Sequence, residues 1–235
     1  MNIPQAQIVS QEFAQHLIAE SLSQKFNLLF EKKKHQLSIE SGHDWLVKIY
    51  LPWTLDWKES NGLIHNPDSH FSLVLIRAGQ ASTGYFHQGT LIDHKVFRAY
   101  MVRQKQGKSQ IKHLKTKGKS RAGSRIRLAE TLQFFEEINE RLTTYANQFP
   151  INLWGISCAK TMWPFYFSSA IAPPFSSKAE NLIELPYHIA QGSFEELKAA
   201  GELVQKFHLI FSEKGKKLLK EFQKEGLETS TNDDW

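Results

Sequence analysis

Hydrophobic residues recur every three or four positions in the second half of the chain, with glutamates between them. The repeating positions are Leu128, Leu132, Phe135, Ile138, Leu142 and Tyr145. This spacing places the apolar side chains along one face of a helix and leaves the glutamates on the other. The pattern predicts a long amphipathic helix that packs on a sheet and ends before Pro150.

Three apolar segments precede this helix and are separated by only a few residues. Residues 71–79 (FSLVLIRAG) form a continuous apolar run, residues 81–89 (ASTGYFHQG) follow a glycine-containing turn, and residues 91–103 (LIDHKVFRAYMVR) alternate in their second half. Short connections of this kind favour antiparallel hairpins. We expect a three-stranded meander in which residues 71–79 form a central strand.

The remaining segments complete the predicted fold. Phe13, Leu17, Leu22 and Phe26 have roughly helical spacing. The segments WLVKIYLPW, INLWGISCA, LIELPY and FHLIFS have the composition of strands, and MWPFYF is assigned to a loop or a strand. Ser193 and Glu196 have the spacing of a capping box that opens a helix. The order β-β-β-α-β-β-α-β predicts an α/β (α+β) fold with a mixed β-sheet and packed helices.

Turn residues and changes in composition divide the chain into three parts. We expect an N-terminal extension at residues 1–66 that packs on the core, a main domain at 67–212, and a charged helix and tail at 213–235. Hydrophobic residues make up 41% and charged residues 23% of the 235 residues, which is typical of globular proteins. A single cysteine, no secretory signal and no apolar run of membrane-spanning length predict a cytoplasmic protein without membrane contact.

Positive charge is concentrated in residues 102–127 (VRQKQGKSQIKHLKTKGKSRAGSRIR), which contain ten Lys or Arg and no Asp or Glu. The whole chain has 29 basic and 24 acidic residues, so the rest of the chain is acidic, with 19 against 24. A local patch of this kind is typical of proteins that bind phosphate-rich partners. Arg121, Arg125 and Arg127 fall in the first turns of the predicted helix, where cations oppose the helix dipole unless an anion docks there.

Two stretches in this region, residues 97–110 (FRAYMVRQKQGKSQ) and 117–130 (KGKSRAGSRIRLAE), are similar to the Vms-like release factor family. These proteins are relatives of the central domain of eukaryotic and archaeal peptide-release factors. In that family a strand ends in a pattern like YTVRxKQGGSQ, and a long helix opens with SAGxxLRR. The order and spacing of the two motifs agree with the family, which implies a release-factor central-domain-like fold for residues 67–212.

The resemblance implies that the protein releases nascent chains from peptidyl-tRNA on stalled or split large ribosomal subunits. Release would occur by ester hydrolysis or by cleavage near the tRNA 3′ end, and a compact bacterial member of the family is expected. The implied catalytic residues are Gln110 and Ser109. The implied RNA-binding residues are Arg103, Lys105, Gly107, Lys108, Lys112, Lys115, Lys117, Lys119, Arg121, Arg125 and Arg127. The expected partners are the large subunit, rRNA and peptidyl-tRNA, without DNA, cofactor or metal.

The sequence differs from the family at Lys108, where relatives usually carry a second glycine before the serine. Lysine restricts the backbone angles and adds bulk at a tip that has to enter a narrow site. Considered alone, Gln110 is a weak signal, because a glutamine in a basic loop is usually a solvated side chain. Its amide can orient a water or a ribose hydroxyl and stabilise charge, but it cannot act as a strong base. A non-enzymatic tRNA- or rRNA-binding protein is therefore the alternative.

Other residues offer weaker candidates for chemistry. His65 and His70 lie five residues apart, but no Cys or carboxylate follows at metal-ligand spacing, so no metal site is predicted. Asp93 and Glu184 are the only acidic residues that suggest a metal-dependent nuclease, which needs several converging carboxylates. The aromatic segment MWPFYF could stack bases, although a buried cluster is the expected role. Cys158 is expected in the core.

Overall fold

The structure, a computed structural model, describes residues 3–99 and 119–217, and in the helix that begins at Lys119 it describes side chains from residue 133 onward. The chain divides into two compact units, one of residues 1–67 with 202–235 and one of residues 68–201. The domain boundaries predicted after residues 66 and 212 stay predictions. None of the described helices is long and apolar enough to cross a membrane.

Strands and helices occur on both sides of the segment that the structure leaves undescribed. Before residue 100 they are β1 (Gln7–Val9), α1 (Gln11–Ser23), β2 (Asn27–Glu31), β3 (Gln36–Ser41), β4 (Asp44–Tyr50), β5 (Leu55–Lys58), β6 (Gly62–His65), β7 (His70–Arg77), β8 (Gln80–His87) and β9 (Thr90–Arg98). After residue 118 they are α2 (Lys119–Gln148), β10 (Leu153–Ser157), α3 (Trp163–Phe167), β11 (Leu182–Glu184), α4 (Phe194–Leu203) and β12 (Phe207–Phe211). An antiparallel sheet and a mixed sheet with packed helices make this an α+β fold, as predicted.

The first unit contains a five-stranded antiparallel sheet in the order β1-β12-β4-β3-β2, together with the β5–β6 hairpin. Helix α1 begins after Ser10, whose hydroxyl accepts from the Phe13 N–H at 3.2 Å. Its buried side chains, Ala14 and Leu17 among them, join one cluster with Leu37 and Ile49 of the sheet. This helix and the β4 strand were predicted, whereas β2 and β3 were not.

The second unit contains a five-stranded mixed sheet in the order β11-β10-β7-β8-β9. Strands β7, β8 and β9 form the predicted antiparallel meander, and β10 and β11 add in parallel beside β7. All but the last residue of β7 are buried, which fits the central strand that its continuous apolar run predicts. The meander therefore places the end of β9 and the helix that follows it on one rigid sheet.

Helix α2 packs its apolar face on strands β8 and β9. Phe135, Ile138, Leu142 and Tyr145 are fully buried, while Glu137 and Glu140 are exposed on the other side. The described part of the predicted stripe is confirmed; Leu128 and Leu132 lie outside the described side chains. Each buried apolar side chain of this size contributes about 1.5–3 kcal/mol of transfer free energy, so the stripe is the main attachment of the helix.

Three sequence-based expectations were wrong in detail. The stripe of α1 does not include Leu22, which is 52% exposed, or Phe26, which follows the helix. In the segment MWPFYF, Trp163–Phe167 form the short helix α3, and Pro164 is tolerated at its start because no N–H partner is needed there. Strand β12 joins the first sheet rather than the second.

The capping box of α4 is only half formed. The Glu196 N–H donates to the Ser193 hydroxyl at 3.2 Å, as predicted. The Glu196 carboxylate instead accepts from the N–H groups of Ala190, at 3.3 Å, and Gln191, at 2.7 Å. It therefore ties down the chain that leads into the helix.

We expect Ile138→Ala to lower the free energy of unfolding by about 2–5 kcal/mol, because it leaves a cavity under a fully buried side chain. Glu140→Ala, on the exposed face of the same helix, serves as the control and should change stability by less than about 0.5 kcal/mol. Urea unfolding followed by circular dichroism measures both. Equal effects of the two substitutions would contradict the packing of α2 described here.

Candidate nucleic-acid interface

The residues predicted to act on RNA fall into two groups. Ser109, Gln110 and the predicted RNA-binding residues from 103 to 117 lie outside the described residues. Lys119, Arg121, Arg125 and Arg127 lie on the first turns of α2, whose backbone is helical from Lys119. The predicted helical position of Arg121, Arg125 and Arg127 is thus confirmed, Lys119 is an addition to it, and the contacts of all four stay predictions.

The segment that carries the predicted catalytic residues leaves the second sheet at the end of β9 and leads into α2. Strands β7, β9, β10 and β11 all point the same way, so they end at one edge, which we call the loop end. Strand β9 ends there at Arg98, and the N–H of the next residue, Ala99, donates to the Gly79 carbonyl at 3.0 Å. This bond holds the chain against the β7–β8 turn at the point where the segment begins.

Helix α2 is long compared with the strands on which it packs. Tyr145, near the end of α2, lies beside Tyr85, with ring centroids 6.0 Å apart. From Tyr145 back to Lys119 the helix is about 39 Å long, whereas β8 from Tyr85 back to its start at Gln80 covers about 17 Å. Helix α2 is therefore longer than the strand segment on which its second half packs, and Lys119, Arg121, Arg125 and Arg127 lie on its first turns.

Arg77 adds a fixed positive charge at the loop end. Its guanidinium donates to the Ile189 carbonyl at 2.5 Å, the Ile76 carbonyl at 2.7 Å, and the Ser157 carbonyl and hydroxyl at 3.0 and 2.8 Å. Burial lowers the pKa of Arg77 from its usual value, yet an arginine stays charged at neutral pH. Because all four acceptors are uncharged, the hydrogen bonds position this charge without neutralising it.

A lysine and an aromatic ring lie together close to the end of β10. The Lys160 ammonium sits 3.5 Å from the centroid of the Trp163 ring and 2.6 Å from a carboxylate oxygen of Glu184, the last residue of β11. Trp163 also donates from Nε1 to the Cys158 carbonyl at 3.3 Å. In the same helix Tyr166 is fully buried and Phe165 is 49% exposed. The expected buried role is confirmed for Tyr166, and Phe165 remains accessible to a stacking partner.

Cys158 follows the last residue of β10 and is a core residue, as predicted. It is 8% exposed, and burial raises the pKa of its thiol to about 11, although the nearby Arg77 guanidinium opposes the shift. A nucleophilic cysteine requires a lowered pKa. The loop end therefore offers no activated thiol among the described residues.

The carboxylates considered for a nuclease do not converge. Asp93 lies on β9 and Glu184 on β11, the two opposite edge strands of the second sheet. Four strand spacings separate them, which is about 19 Å. Asp93 forms an ion pair with Arg141 of α2, and Glu184 pairs with Lys160. A shared metal is excluded for this pair by distance.

A cluster that the sequence did not predict lies at the other end of the sheet, where β7 begins and β8 ends. Asp68 Oδ1 is 2.9 Å from Nε2 of His70 and 2.9 Å from Nε2 of His87. The two imidazole hydrogen bonds, that of His87 first, lower the pKa of the Asp68 carboxyl. The signal in the sequence that could have revealed this cluster is the predicted β7–β8 hairpin, because its register sets His70 opposite His87. The other histidine considered for a metal, His65, lies in the other unit.

Comparisons with known proteins connect this geometry to a family. A family model described as the Bacteroidetes VLRF1 release factor matches residues 71–211. No curated protein matches the chain by sequence. Among solved structures, one titled "Vms1 mitochondrial localization core" is similar at 10% sequence identity and a TM-score of 0.42, covering 86% of this chain and 84% of that one. At that TM-score, the family assignment has to rest on the sequence match.

The match covers the second sheet from Phe71 onward, the segment between β9 and α2, and more than half of the chain. It places the protein among the release factors of translation. The chain belongs to the Bacteroidetes VLRF1 release factor family, and the resemblance seen in residues 97–130 is confirmed. A release or rescue role at the ribosome, with the ribosome and tRNA as partners, follows from this membership.

The thiol of Cys158 should be almost unreactive in the folded protein. With a pKa of about 11 instead of 9.0, its thiolate fraction at pH 8 is lower by about two orders of magnitude. We expect iodoacetamide to label the native protein at least about 100-fold more slowly than the urea-unfolded protein, as followed by mass spectrometry. Comparable rates in the two states would contradict the burial of this residue.

Proposed function

We propose that the protein releases nascent chains from peptidyl-tRNA on stalled or split large ribosomal subunits. The observation that carries the proposal is the family match, which includes the segment with Ser109 and Gln110 between β9 and α2. This segment connects the end of β9 to α2, whose second half packs on the same sheet. Such a scaffold supports a loop that has to be presented to a distant reacting bond.

Gln110 is the proposed catalytic residue, with Ser109 beside it. The Gln110 carbonyl would orient a water towards the ester, or a ribose 2′-hydroxyl towards the adjacent phosphodiester. Its NH₂ group would donate to the oxygen on which negative charge develops. Since the amide is not a base, RNA groups of the ribosome or tRNA would move the proton. The unreactive Cys158 and the separated carboxylates are consistent with this division of labour.

Docking on RNA is assigned to the cations around the loop end. About five of the ten basic residues of 102–127 would contact rRNA and tRNA phosphates, with Lys119, Arg121, Arg125 and Arg127 presented on the first turns of α2. Cations at a helix start cost about 0.3–1 kcal/mol each, and docked phosphates would reverse the sign of that term. Arg77 would add a fixed charge behind them.

The setting of this activity belongs to the same proposal. The protein would work in the cytoplasm of a bacterium and bind the large subunit, its rRNA and peptidyl-tRNA. It would need no DNA, no membrane and no cofactor, because the peptidyl ester is already activated and RNA provides the remaining groups. The proposed enzyme is thus a peptidyl-tRNA hydrolase or tRNA endonuclease of the release-factor type.

Lys108 favours a second candidate, in which the loop binds the ribosome without catalysis. A lysine replaces the glycine that relatives carry before the serine, and it adds both bulk and a phosphate-binding group. In that case Gln110 would be one of several solvated side chains. The two candidates predict the same affinity for RNA and differ only in the effect of Gln110 on turnover.

Gln110→Ala should leave binding to large subunits nearly unchanged, because the segment keeps all ten positive charges. The single-turnover rate of peptide release should fall about 100-fold or more, the scale of losing one preorganised polar group. The assay uses stalled large subunits carrying labelled peptidyl-tRNA, and mapping of the tRNA 3′ end distinguishes ester from phosphodiester cleavage.

Gln104→Ala is the matched control, since Gln104 is a glutamine of the same segment at a position where the family pattern varies. It should release peptide at the rate of the unmodified protein. If Gln110→Ala is equally fast, or if the unmodified protein releases nothing, the catalytic proposal fails and the docking candidate stands.

Binding to large subunits should weaken steeply with salt, because each phosphate contact releases counterions. With about five contacts, log K should fall against log salt with a slope of about −3.5 to −4.5. Lys119→Glu combined with Arg121→Glu should make the slope shallower and change the release rate at saturating protein much less.

The control for this charge reversal is Lys32→Glu with Lys33→Glu, two exposed lysines of the first unit. It alters the net charge equally and should leave the slope unchanged. A slope near zero for the unmodified protein would show that the basic segment does not contact phosphate.

A further inference from the structure

The cluster of Asp68, His70 and His87 has the composition and spacing of a metal site. One ligand atom from each residue lies within 4.8 Å of those from the other two. In a tetrahedral zinc site, ligand atoms about 2.0–2.1 Å from the ion are about 3.3 Å from one another. Two of the three separations in the cluster are 2.9 Å, so a small expansion would admit an ion.

The β7–β8 hairpin brings the two imidazoles together. His70 faces His87 across the strands, and its N–H donates to Oδ1 of Asn152 at 2.8 Å, on the side of β10. The pair therefore does not exchange backbone hydrogen bonds and belongs to the closer class of cross-strand neighbours. The rings are stacked with centroids 4.4 Å apart. To bind one ion, the rings would turn from this parallel stack until both Nε2 lone pairs meet it.

Tyr85 is placed to orient one of the ligands. Its hydroxyl lies 2.7 Å from Nδ1 of His70, the nitrogen that points away from Asp68. Metal binding at Nε2 requires the proton of a neutral imidazole to be on Nδ1, and the Tyr85 oxygen can accept it there. Asn152 holds the backbone of the same residue. His70 is thus positioned by two partners, as metal-ligating histidines usually are.

We propose that Asp68, His70 and His87 bind a divalent transition-metal ion, with Zn²⁺ as the preferred ion. Two imidazoles and one carboxylate suit zinc, whereas Mg²⁺ and Ca²⁺ require oxygen ligands. The side chains of Asp68 and His87 are 71% and 41% exposed, so the ion can enter from solvent, and a water would complete its coordination.

The site would be separate from the proposed release activity. It lies at the start of β7, about 24 Å along the strand from Arg77 at the loop end. Asp68 is also the first residue of the second unit, and His87 precedes the β8–β9 turn. A bound ion would therefore tie the entry of the chain to the meander and stabilise this unit, with the release rate unchanged.

Zn²⁺ titrated calorimetrically into chelator-stripped, full-length protein should bind at one ion per chain and raise the melting temperature by several degrees at saturation. Mg²⁺ should not compete. Imidazole ¹⁵N NMR of the unmodified protein should show Nε2 of both His70 and His87 shifting on binding. This spectrum needs no substitution and identifies the ligands directly.

Substitutions of the two exposed ligands, and of the buried Tyr85, complete the test. His87→Asn and Asp68→Asn should each weaken Zn²⁺ binding by about 100-fold or more, and Tyr85→Phe, which keeps the ring, by about 10–100-fold. His65→Asn, which changes an exposed histidine of β6 in the other unit, is the control, and this variant should bind Zn²⁺ as tightly as the unmodified protein.

The proposal is overturned if no saturable binding occurs, if the imidazole nitrogens do not shift, or if the double variant Asp68→Asn, His87→Asn still binds fully. The three groups would then form an ion-free hydrogen-bonded cluster.

Discussion

The burial of one face of α2 against strands β8 and β9 is the interaction on which the rest of the second unit depends. Four fully buried side chains, Phe135, Ile138, Leu142 and Tyr145, hold a 30-residue helix by its second half. The first turns of the same helix carry Lys119, Arg121, Arg125 and Arg127, and the segment before them connects the end of β9 to Lys119. The like charges at the start of the helix repel one another, and the apolar attachment of its second half offsets this repulsion.

The two ends of the second sheet have opposite chemistry. Parallel alignment of β7, β9, β10 and β11 collects the strand ends, Arg77 and the start of the basic segment at one edge. The other edge collects the imidazoles and the carboxylate around Asp68. The separation follows from strand direction alone, since a residue's position along a strand decides which edge it reaches. Conditions that alter one edge can therefore leave the chemistry of the other untouched.

Local patterns in the sequence predicted the elements that are held together by neighbours in the chain. The stripe from Phe135 to Tyr145 and the three short-spaced strands of the meander belong to this group, and the release-factor motif was recognisable from residues 97–130. Non-local pairings were missed. The sequence of β12 predicts a strand but not the strands with which it pairs. Its place in the first sheet could therefore not be predicted. The Asp68 cluster forms only because the β7–β8 register sets His70 opposite His87, and residue spacing along the chain does not reveal this pairing. The chemistry of Gln110 could be inferred only through the family.

The anchoring of residues 99–118 between β9 and α2 sets a working radius for whatever this segment carries. An extended chain advances at most about 3.3–3.6 Å per residue. Gln110 is nine residues from Lys119 and twelve from Arg98, so its backbone can lie no more than about 32 Å from the start of α2, whatever path the chain takes. Any bond on which Gln110 acts has to come within that radius, so the body of the protein must approach its target closely before the glutamine can reach it. Lengthening or shortening the segment on the Lys119 side would rescale this distance without touching the residue itself.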